Sequence, residues 1–175
     1  MNIHQIIFLI LLIVLGIPVI LSYILGIKKI KNPNLLWGNT PNNYKKIFGI
    51  SMITSAISFG IFSFYIFNGN NLNWILIYIT YSILLISSTA WIPLTIKVVQ
   101  IKKKIYWILT RTSLYIVAIC SLILLSATIL LNQVCTFHII SIICLIIFSI
   151  HTIVLDATIW PYFFTKTNSI DNVKM

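Results

Sequence analysis

FHIISIICLIIFSIHTIVLDATIWPYFF (Phe137–Phe164) holds a single carboxylate, Asp156, inside a run otherwise long and apolar enough to cross a bilayer. A spanning helix takes about 20 predominantly apolar residues. The chain has only two acidic residues, and the other, Asp171, lies in the polar tail. A carboxylate at such depth is costly unless paired or protonated, so Asp156 is a functional candidate by default. Helical spacing aligns Ser141, Leu145, Ser149, Thr152, Asp156 and Trp160 along one stripe. Lipid offers these polar groups no partner, which predicts that the stripe faces the bundle interior or a cavity. His151 lies about 140° around an α-helix from Asp156. The two are therefore not expected to form a local dyad, and His151 reads as a hydrogen-bonded packing residue.

Working outward, the rest of the chain has the same character. Of 175 residues, 59% are hydrophobic and 8% charged, with mean hydropathy +1.04. No soluble domain of this size could bury that much apolar surface. The runs predict five spans, roughly Ile6–Ile27, Ile47–Phe67, Trp74–Ile96, Tyr106–Leu131 and Phe137–Phe164, with a polar tail over 165–175. The expected fold is all-α, a single membrane domain built as a five-helix bundle. Met1–Gln5 carries no Lys or Arg and the apolar run after it is too long for a cleavable signal, so the first span is expected to remain, bent near Gly16 and Pro18.

A net charge of +10 raises the question of nucleic acid, but the placement of charge argues for a membrane. Lys28, Lys29, Lys31, Lys45 and Lys46 flank the first loop, Lys97 and Lys102–Lys104 the third, and Lys166 and Lys174 lie in the tail. The second loop (Asn68–Asn73) and the fourth (Asn132–Thr136) are uncharged. This alternation is the positive-inside pattern, placing the amino terminus outside and the carboxyl terminus inside. The basic inner loops would attract anionic lipid headgroups, and nucleic acid is not an expected partner. Cys120, Cys135 and Cys144 form no CxxC. His4, Cys135 and His138 all fall near the outer surface, where isolated interfacial polar residues explain them better than a metal site.

Arg111 supplies a counter-charge to Asp156 at similar depth, about 8 Å from the inner end of span four against about 12 Å for Asp156 in span five. A structural ion pair, an Arg111 side chain reaching back to the inner headgroups, or a ligand contact at Asp156 all fit that placement. In span three Tyr81, Leu84, Ser88, Trp91 and Thr95 share a face. Pro93 frees the carbonyl of Thr89, so a turn beside Trp91 is suited to lining a cavity in the inner half. Trp74 and Trp107, at span ends, read as interfacial anchors. In span two, Ser51, Ser55 and Ser58 on one side and Ala56 and Gly60 on another permit close helix packing or a homodimer contact.

Three short segments carry a family resemblance. The first inner loop reads Trp37-Gly-Asn-Thr-Pro41-Asn-Asn-Tyr44 and leads to Phe48-Gly49. Span three has Ala90-Trp91-Ile92-Pro93, and span five has Leu155-Asp156-Ala157-Thr158-Ile159-Trp160. With the size and five spans, the chain resembles the TspO/translocator-protein family. It departs from that pattern at Tyr44, where the family usually has Trp, and at Asp156, where it has Asn. The resemblance implies a five-helix bundle, often dimeric, that binds tetrapyrroles, sterols or similar flat hydrophobic molecules. Trp91, Asp156 and Trp160 would line or close the cavity, and the Trp37–Tyr44 loop would cover its mouth.

The functional expectation is a membrane protein that binds or carries a small hydrophobic ligand, a tetrapyrrole, sterol or lipid. Its contacts would come from Trp91, Asp156, Trp160, Arg111, Ser88, Thr152, Trp37 and Tyr44. A proton- or ion-coupled transporter or channel subunit using Asp156, and a non-catalytic scaffold, are the alternatives. An enzyme is least expected, since no nucleophile–base pair, carboxylate pair or metal-ligand cluster is evident in the sequence.

Overall fold

The computed structural model describes residues 1–30, 32–69, 72–131 and 135–168. Lys31, Asp171 and Lys174, parts of the two uncharged loops and the tail from 169 lie outside the described residues, as does the side chain of Lys166. Five helices are long and apolar enough to cross a membrane. They are α1 (Ile3–Lys29), α2 (Asn42–Asn68), α3 (Trp74–Ile101), α4 (Lys104–Ile129) and a composite fifth. The fifth begins as α5 (Thr136–Ile150), widens into π-helical turns over His151–Ile159, and ends as α6 (Trp160–Asn168). Among the described residues there is no strand, so the all-α, multi-pass membrane class holds.

Local chemistry sets the helix ends. Asn2 caps α1 through the backbone N–H of Gln5, and the Gln5 side chain accepts from the N–H of Asn2, so both orphan donors are satisfied. The Asn73 side chain accepts from the Leu76 N–H to open α3. Only Lys102 and Lys103 separate α3 from α4, and Lys102 takes a left-handed conformation (φ 55°) that ends the first helix abruptly. A short 3-10 helix, Pro33–Trp37, follows α1. It ends at Gly38 with φ 55° and ψ −136°, a backbone region that a side chain would exclude.

The helices form a ring in which α3 packs between α1 and α4, and α5 between α2 and α4. The closing contact, α1 against α2, is sparse. Accordingly α1 presents mostly exposed Ile, Leu and Val and buries only Phe8 and Gly26. At Gly26 a Cβ would overlap the Ile92 side chain, so the missing side chain is what lets α1 lie tightly against α3 there. Two apolar cores fill the ring. Towards the uncharged loops, Phe8, Phe62, Tyr81, Leu84, Leu124 and Leu145 pack together. Towards the lysine-rich end, Phe48, Trp107, Leu114, Trp160 and Phe164 form a second cluster.

Candidate functional site

The stripe expected on the fifth span turns inward. Ser141 and Leu145 are fully buried, Ser149, Thr152 and Trp160 nearly so, and Asp156 is half-buried. Thr152, Asp156 and their neighbour His151 open onto a cavity of about 490 Å³. Its other walls are apolar residues of α1, α2 and α3, with Ser55 and Ser88 adding hydroxyls. Lining residues such as Gly16, Phe59, Leu84 and Phe148 lie near the middles of their helices. The cavity is therefore at mid-span rather than in the inner half, where the sequence reading put it. Its α1 rim consists of Ile13, Ile17 and Ile20, which are 50–62% exposed, so it opens sideways where α1 and α2 barely touch.

The π-helical turns correct the reading of His151. In an α-helix residues five apart diverge, but in π turns the i→i+5 hydrogen bond brings them onto one face. The Thr158 hydroxyl donates to the Ile153 carbonyl, five residues back, at 2.7 Å. The Trp160 N–H likewise reaches the Leu155 carbonyl. Pro161 supplies a cause, because its ring lacks an N–H and would clash with the Ala157 carbonyl of a regular α ladder. In this register His151 Nε2 lies 3.4 Å from Asp156 Oδ2. His151 Nδ1 lies 2.9 Å from the Ser51 hydroxyl on α2. With the ring proton on Nε2, that N–H faces the carboxylate, and Nδ1 accepts from the Ser51 hydroxyl. The Asp156 and His151 side chains are 17% and 7% exposed, so the pair is largely sheltered. Ser121 on α4 and Thr152 approach at 3.3 Å, extending the polar contacts across the ring.

Arg111 does not meet Asp156. Among the described residues the only ion pair to the carboxylate is His151. Arg111 sits on the exposed side of α4, donates to the Tyr115 hydroxyl at 2.8 Å, and lies over the Trp107 and Tyr115 rings. The inward face of α4 is instead Trp107, Thr110, Leu114, Val117 and Ser121. Azimuth decides this: Arg111 is one residue past the buried Thr110 and so falls on the outer face of α4.

The four aromatic candidates gather at the lysine-rich end, below the cavity. Trp160 donates from Nε1 to the Leu36 carbonyl at 2.9 Å, fastening the 3-10 helix over the bundle. Its ring lies edge-on to Trp91, with centroids 5.6 Å apart. Trp37 packs edge-on to Phe48 at 5.5 Å. Tyr44 is exposed at the start of α2, tilted on Phe163 at 5.2 Å. Trp107, read as an interfacial anchor, is buried and stacked on Phe164 at 5.3 Å. Of the eight predicted residues, then, Ser88, Thr152 and Asp156 line the cavity. Trp91, Trp160 and Trp37 form a plug beneath it, Tyr44 edges that plug, and Arg111 stands outside.

Within one chain, among the described residues, Ala56 and Gly60 do not pack against another helix. Both are exposed on α2 and face the cavity system, whereas Ser55 and Ser58 are buried. The residues missed from sequence are His151 and Ser51, whose link spans a hundred positions and depends on a π register that α-helical spacing does not anticipate. At the uncharged end His4 stacks on Trp74 and its Nδ1 lies 3.1 Å from the Tyr78 hydroxyl, while His138 Nε2 lies 2.9 Å from the Thr128 carbonyl. These imidazoles serve helix packing.

The fold and the buried polar pair define a five-helix, multi-pass integral membrane protein with a mid-span cavity. Comparison with protein-family models, with curated proteins and with solved structures gives no match.

Proposed function

We propose that this protein binds a small hydrophobic ligand at mid-membrane, with Asp156 orienting it and His151 holding Asp156. The cavity carries this reading: about 490 Å³, apolar on most sides, with Asp156, Thr152 and Ser88 converging on it. A few polar groups set in an apolar hollow are the usual means of fixing an apolar ligand's orientation. The side opening between α1 and α2 suits a ligand that arrives from the bilayer. The three segments that resemble the TspO/translocator-protein family point the same way. The lysine-rich loops would face the cytoplasmic side and its anionic headgroups.

Ser51, His151 and Asp156 stand in the order of a nucleophile, base and acid, but the proposed role is not catalytic. Ser51 does not line the cavity, and mid-helix backbone N–H groups are committed to their own ladder, leaving none to stabilise an oxyanion. The same line of Ser51, His151 and Asp156 favours one second reading, a proton-coupled carrier. Flux across reconstituted vesicles with wild type and Asp156→Ala would reveal it.

The binding reading is tested by extracting small molecules that copurify with the protein and identifying them by mass spectrometry and absorption. Asp156→Asn preserves the side chain's size and its ability to accept from His151, so the protein should remain folded. The copurified species should fall at least several-fold. An unchanged content in a folded Asp156→Asn protein would remove Asp156 from the site.

A further inference from the structure

The shape and charge of the cavity narrow the ligand class, an inference that rests on the binding reading above. Leu12 and Phe59 wall the mid-span cavity and also a second, adjoining one of about 490 Å³, which lies between α1 and α2 beside Leu9, Gly60, Phe64 and Phe67. Along α2 the two together run from Met52 to Phe67, about 22 Å at the helical rise. Missing side chains make this room. A Cβ at Gly16 in the first cavity, or at Gly60 in the second, would meet nothing within 4 Å.

Polarity is confined to one end. Asp156, His151, Thr152, Ser88 and Ser55 all belong to the mid-span cavity. The second cavity has only Ser63, whose hydroxyl already donates to the Phe59 carbonyl at 2.8 Å. Neither cavity is lined by Lys or Arg. An anionic head, whether carboxylate or phosphate, would thus meet Asp156 with no Lys or Arg to offset the repulsion. A hydroxyl suits the site better, because it can donate to the Asp156 carboxylate and accept from the Thr152 or Ser88 hydroxyl.

We propose that the two adjoining cavities together hold one single-chain lipid alcohol. Its hydroxyl sits at Asp156 and its hydrocarbon chain lies along the α1–α2 seam towards the uncharged end. By the same charge argument a tetrapyrrole, which carries carboxylates of its own, is a poor fit.

The test uses the full-length protein in lipid nanodiscs with tritiated 1-hexadecanol and tritiated 1-octanol as probes. Hexadecanol should bind saturably, and hexadecanoate should not displace it. Gly60→Phe fills the second cavity without meeting protein atoms at Cβ, so it should fold normally. It should weaken hexadecanol binding about tenfold or more while leaving octanol binding unchanged. Equal competition by hexadecanoate, or an equal effect of Gly60→Phe on both alcohols, would overturn the proposal. So would a change in oligomeric mass on Gly60→Phe, which would mean that a second copy fills the seam. If hexadecanol fails to bind while another compound copurifies in an Asp156-dependent manner, the alcohol falls and the binding function stands.

Discussion

Asp156 is tolerable at mid-span because His151 lies against it and the Thr152 and Ser88 hydroxyls share its otherwise apolar cavity, and the residues around Trp160 hold that arrangement from below. The Trp160 indole N–H satisfies the Leu36 carbonyl within a buried aromatic cluster. Trp160→Phe should keep the packing but leave that carbonyl unpaired, costing about 1–2 kcal/mol. The loss would register as a lower unfolding temperature and faster hydrogen exchange over the 3-10 helix, with the transmembrane helices protected as before. Unaltered exchange at Leu36 and its neighbours would show that the indole does not fasten the turn. Arg111, by contrast, meets Tyr115 and Trp107 on the outer face of α4, and its removal should leave the cavity unaffected.

At the scale of elements, the fifth span shows where periodicity succeeds and where it stops. Its polar stripe, Ser141 through Trp160, was legible because residues three and four apart share a face in any α-helix. The cluster of burial on Tyr81, Leu84 and Thr95 of α3 followed from the same rule. The His151–Asp156 pair was not legible, since a spacing of five joins residues only in π turns. Such turns behave as an α-helix carrying an extra residue. Deleting Val154, which is exposed and lies between the pair, should restore an α ladder with His151 and the carboxylate four apart. The variant should therefore be less stable than wild type, as read by thermal unfolding in detergent, because an α ladder sets the Pro161 ring against the carbonyl four residues back. Stability equal to or above wild type would mean that Pro161 does not impose the π register.

For the whole molecule, composition and lysine placement were enough to foresee five helices and their alternation, since these depend on length, hydropathy and charge alone. The cavity's true height and its opening depended on something else, the order of helices around the ring. Because α1 and α2 are neighbours that barely touch, Ala56 and Gly60 border open space instead of another helix. Sequence gives the small residues but not what stands opposite them. The same limit misassigned Arg111: two residues at matching depth on adjacent helices can face each other or face apart, and only the packing decides.

These alternatives converge on two double-mutant cycles that share Asp156→Ala, one with His151→Ala and one with Arg111→Ala, read as stability to thermal or denaturant unfolding in detergent. Contact residues couple by about 0.5–3 kcal/mol, and distant ones add. The account predicts clear coupling between His151 and Asp156 and simple additivity between Arg111 and Asp156. Additivity for His151 with coupling for Arg111 would contradict it.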